Sequence, residues 1–91
     1  MSQYVQESGL PTNLTASGLV KTGGGSIIGI FVASASATPT IKVWDNTAAS
    51  GTVLVNTFTP VAGSFYPMPF TFRTGLYVSI GGTVDCTVSW V

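Results

Sequence analysis

Glycine or proline interrupts this chain at intervals of roughly ten residues, and no window of about twelve residues carries a sustained 3.6-residue apolar period. Long amphipathic helices are therefore excluded. Eleven Gly and five Pro stand in a sequence rich in Thr and Val, a set that suits strands and turns and disfavours helix interiors. About seven short strands at that spacing predict an all-β fold, a small antiparallel β-sandwich or jelly-roll-like barrel. The length of 91 residues fits one domain with a thin core. We read residues 1–11 as an extended N-terminal arm, ended by Gly9-Leu10-Pro11, and residues 12–91 as a single β-sandwich domain.

Thr12 to Val20 predicts a strand with Leu14, Ala16 and Gly18 on one face, and Lys21 to Gly25 breaks it. Ser26 to Ser34 is a nearly continuous apolar run, as expected of a strand buried on both sides, and Gly29 within it predicts a bulge or a close backbone approach. Thr40 to Trp44 alternates, with Ile41 and Val43 facing one way and Lys42 and Trp44 the other. Asp45 to Gly51 then reads as a hairpin loop, with Thr52 to Thr59 the returning strand. Phe65 to Phe72 carries Pro67 and Pro69, which makes it an edge strand or an irregular crossing. Its aromatics Phe65, Tyr66, Phe70 and Phe72 are expected to close one end of the core. GLYVSI, Gly81-Gly82 and TVDCTVSWV read as a two-residue hairpin, with Val84, Cys86, Val88 and Trp90 sharing one face.

Charge is the most abnormal feature. Charged residues make up 7% of the chain, against an average of about 25%. They are Glu7, Lys21, Lys42, Asp45, Arg73 and Asp85, three of each sign. A small monomer normally carries a net charge of magnitude ~2–8. Neutrality together with a positive mean hydropathy of +0.50 predicts that other subunits cover much of the surface. Three scattered cations are too few for a nucleic-acid groove. The longest apolar run, IIGIFVA at 27–33, is far shorter than a membrane helix. MSQYVQESG has no basic region followed by an apolar stretch, so no secretory signal is expected. Asn13-Leu14-Thr15 matches a glycosylation acceptor and is read as chance.

Catalytic chemistry has little to build on. There is no histidine, the commonest general base and transition-metal ligand. The single cysteine, Cys86, lies on the apolar face of an alternating strand and reads as a buried small hydrophobe. The carboxylates Glu7, Asp45 and Asp85 are far apart in sequence, and turn formation accounts for Asp45 and Asn46 without calcium. In KTGGGS the lysine precedes the glycines and no helix follows, so the stretch is a connection and not a phosphate loop. No catalytic residue, metal ligand or cofactor is expected. Trp44, Tyr66, Tyr77 and Trp90 have rings suited to stacking on sugars; alternation puts Trp90 in the core and leaves Trp44 exposed beside Lys42. Packing or subunit contact is the simpler role. The candidate interface residues are Tyr4 and Val5 in the arm, with Trp44, Tyr66 and Tyr77.

The order of segments also resembles a known group. GLVKTGGGSIIGIFVASAS is followed by TIKVWDNTAASGTVLVNTFTP and then by FYPMPFTFRTGLYVSIGGTVDCTVSWV. This is similar to small virion proteins encoded in the structural modules of tailed bacteriophages, over about residues 18 to 91. Lys21, Thr22, Gly23 and Gly25 carry the K-T-G-x-G element. Val43, Asp45 to Thr47, Ala49 and Ser50 to Thr52 carry a V-x-D-N-T-x-A-S-G-T hairpin. Thr74 to Val78 and Gly81 to Val88 carry the ending. The resemblance implies a structural role. It points to a capsid decoration, or cement, protein that sits as a homotrimer on the outer shell and clamps the major capsid protein. Such a chain is made in the host cytoplasm and ends in the virion. The other role the resemblance allows is a tail or head-fibre component with a carbohydrate-binding function. A small hydrolase fits least.

Overall fold

Alternation decides which side chains of each strand turn inward, and here it produces two facing sheets. In a computed structural model, which describes residues 9–91, eight strands follow in order: β1 Leu10–Leu14, β2 Gly18–Thr22, β3 Gly25–Ala35, β4 Thr40–Asp45, β5 Thr52–Phe58, β6 Ser64–Phe72, β7 Gly75–Gly81 and β8 Val84–Trp90. The first sheet has the order β1-β8-β3-β6, and the second β2-β7-β4-β5. All pairs are antiparallel. Strand β1 pairs β8, β2 pairs β7, β3 pairs β6 and β4 pairs β5. That nesting is a long hairpin wrapped over itself, the jelly-roll winding of an all-β sandwich.

Only β4 and β5 are neighbours in both sequence and sheet; every other connection crosses to the opposite sheet. The hairpin over residues 40–58 forms as the sequence predicts, with Ile41 and Val43 fully buried. The hairpin expected at Gly81-Gly82 does not form, because β7 and β8 lie in different sheets. Their apolar faces meet across the core instead of side by side: Leu76 and Val78 come from one sheet, Val84, Cys86 and Val88 from the other. Gly82, at φ +73°, makes the sharp crossing that a side chain would resist. Ser36 and Thr83 tie that crossing to the β3–β4 loop through Ser36 N–H to Thr83 O at 2.8 Å and Thr83 N–H to Ser36 Oγ at 3.1 Å.

The strand expected over Thr12–Val20 is two strands, which raises the number from about seven to eight. The chain bends at Thr15-Ala16-Ser17 and changes sheets. Ser17 Oγ holds the bend by accepting from Ile80 N–H at 2.7 Å. Ala16 is exposed. Leu10 and Pro11, assigned to the arm, already pair with Trp90 and Ser89 in β1. Lys21 and Thr22 belong to β2, so Gly23-Gly24 alone make the following turn.

The core lies between the sheets. Ile27, Ile30 and Val32 of β3 and Phe72 of β6 meet Ile41 and Val43 of β4. Each such fully buried side chain contributes roughly 1.5–3 kcal/mol. No polar or charged residue is buried among the described residues. Strand β3 is buried on one face only, not two: Phe31 is 42% exposed on the other. The β3–β6 register shifts between Ile27 and Gly29, a bulge as expected. β6 is an edge strand, which leaves room for Pro67 and Pro69. Its aromatics do not act together. Phe72 is buried and Tyr66 packs on the core, whereas Phe65 and Phe70 are exposed, because period-two alternation and the irregular register turn them outward or to the sandwich margin.

Candidate interaction surfaces

Register brings together what sequence spacing separates. Leu19 of β2 stands opposite Tyr77 of β7, Tyr77 opposite Trp44 of β4, and Trp44 opposite Val53 of β5. Directly opposed residues of antiparallel strands share a face. These four form one row across the outer face of the second sheet, spanning about 14 Å at the usual strand spacing. Leu19 and Val53 are exposed at its ends, and Tyr77 and Trp44 are half-buried at its centre.

Trp44 is fixed in place. Its Nε1–H donates to Ser79 Oγ at 2.9 Å, and Lys42 Nζ sits over its ring at 4.4 Å from the centroid. Ser79 and Lys42 are themselves opposed across β7 and β4. Lys42 is the one ionic side chain standing on this face among the described residues. Lys21 turns to the β2–β3 turn, donating to Gly24 O at 2.8 Å, and Asp45 turns to the β6–β7 turn.

The outer face of the first sheet is built differently. Phe31 of β3 faces Phe65 of β6, and beyond Phe31 the row continues as Thr87 and Asn13, both polar. Asp85 is the ionic group of that sheet, and Asn13 Nδ2–H donates to its Oδ1 at 2.8 Å. Along the margin where the edge strands β5 and β6 approach, a shallow cleft of about 230 Å³ is lined by Val55, Phe58, Tyr66, Pro67, Met68 and Phe70. Its lining contains no titratable group except the Tyr66 phenol, which accepts from Val61 N–H at 2.8 Å.

Of the candidate interface residues, the structure brings Trp44 and Tyr77 into direct opposition on an outer face. Tyr66 is not with them: its ring packs on Phe58 at 5.1 Å between centroids, on the cleft side. Tyr4 and Val5 lie outside the described residues. Leu19 and Val53 were missed by sequence reasoning. The alternation of Leu19 against the inward Val20 was the signal for the first; Val53 is recognised only through its register with Trp44.

Cys86 is fully buried, and burial together with the Asp85 charge pushes its thiol up to about 11. Asp45 is a structural carboxylate. Partial burial pushes its pKa up, but the N–H groups of Thr74, Arg73 and Gly75 and the Arg73 guanidinium outweigh this and hold it below the ordinary value. The described residues contain no group of three or more His, Cys, Asp or Glu able to hold a metal ion. No family model, curated protein or solved structure matches this chain.

Proposed function

We propose that this chain is a virion structural protein, a capsid decoration protein that binds the outer shell of a tailed bacteriophage and stabilises contacts between capsomers. The observation that carries the reading is the pair of outer sheet faces, each with exposed apolar side chains and very few ions among the described residues. Uncharged Thr, Ser, Val and aromatic surface packs against protein without desolvating ions, and aromatic anchors at the centre of a patch are typical of protein interfaces. The resemblance of the KTGGG, VWDNTAASGT and TGLYVSIGGTVDCTV segments to phage virion proteins supports the same role. A homotrimer on the shell exterior would have its thin core reinforced by subunit contacts, and its linked copies would bind by avidity. Nucleic acid and membrane are not among the partners in this reading.

A carbohydrate-binding role on a tail or head fibre requires an open aromatic platform. The ring that suits it by position, Trp44, already has Lys42 over one face and Ser79 on its Nε1. The decoration role accommodates both contacts.

The test is rebinding. Purified protein is mixed with shells prepared without it, and the shells are sedimented. The proposed role predicts saturable uptake and a higher temperature of shell disruption. Absence of uptake, or uptake by tails alone, contradicts it.

A further inference from the structure

We draw no further inference here: the strongest candidate, the shallow apolar cleft where the edge strands β5 and β6 approach, with Phe58, Tyr66 and Met68 in its lining, carries no proposal because nothing in the structure shows what covers it.

Discussion

The Asp45 carboxylate, at the end of β4 in the second sheet, accepts the backbone N–H of Thr74 at 2.8 Å in the turn that brings the chain over from the first sheet. The same carboxylate takes the N–H of Arg73 at 3.0 Å. One side chain thus satisfies the turn between β6 and β7 and ties the two sheets at that end. The arrangement works as a helix N-cap does, with an ionised acceptor meeting backbone donors that have no other partner.

Replacing Asp45 should therefore destabilise the fold in a pH-dependent way. Because its folded pKa lies below the ordinary 3.8, its contribution is fully present above that value and is lost as pH falls through the folded one. Asp45→Ala should cost about 1–2 kcal/mol at neutral pH, at the low end because the site is open to solvent. Urea denaturation of wild type and variant at about pH 7 and about pH 3 measures it. The gap should narrow in acid. A gap that does not change with pH contradicts this role.

Gly29 is required for close approach. A Cβ there would collide with the Phe65 ring and stand 2.7 Å from Tyr66 O. The exposed ring has room to swing aside; the backbone oxygen of the paired strand does not. Gly29→Ala should cost about 1–3 kcal/mol and lower the melting temperature by roughly 5–15 °C. Adding Phe65→Ala should restore little of the loss. Full recovery in the double variant would place the whole clash on the ring.

Cys86 should be silent toward thiol reagents in the native state. Its thiol has no exposed surface and is pushed up to about 11, so both access and thiolate are lacking at about pH 8. Ellman's reagent should react only after denaturation. Cys86→Ser should lose about 1–3 kcal/mol by placing a hydroxyl among apolar neighbours. Rapid labelling of the native protein would show that β8 opens far more readily than a core strand.

If subunits associate as proposed, light scattering at micromolar concentration should report three copies of the 9.4 kDa chain. A single-chain mass that persists as concentration rises contradicts the trimer.

The sequence revealed inward faces well and sheet membership poorly. Ile41 and Val43 against Lys42 and Trp44 were legible because period-two alternation is local. Gly81-Gly82 was misleading because the same alternation describes strands that pair and strands that face one another across a core. The bend at Thr15–Ser17 carries no Gly or Pro; it is enforced by Ser17 on Ile80, a contact between residues far apart in sequence. For the candidate surface, Trp44 was recognisable as an aromatic on an outward position and Tyr77 as a candidate interface residue. Their opposition, and the extension of the row to Leu19 and Val53, depend on the register of four strands that no short stretch encodes.

The central claim is that other proteins, rather than water, cover the ion-poor faces of this jelly roll, and cryo-electron microscopy of the intact virion tests it most directly. The account predicts jelly-roll density on the shell exterior, with an outer sheet face in contact with the capsid lattice. Density that places the chain away from the shell, or that leaves both outer sheet faces open to solvent in the assembled particle, would contradict it.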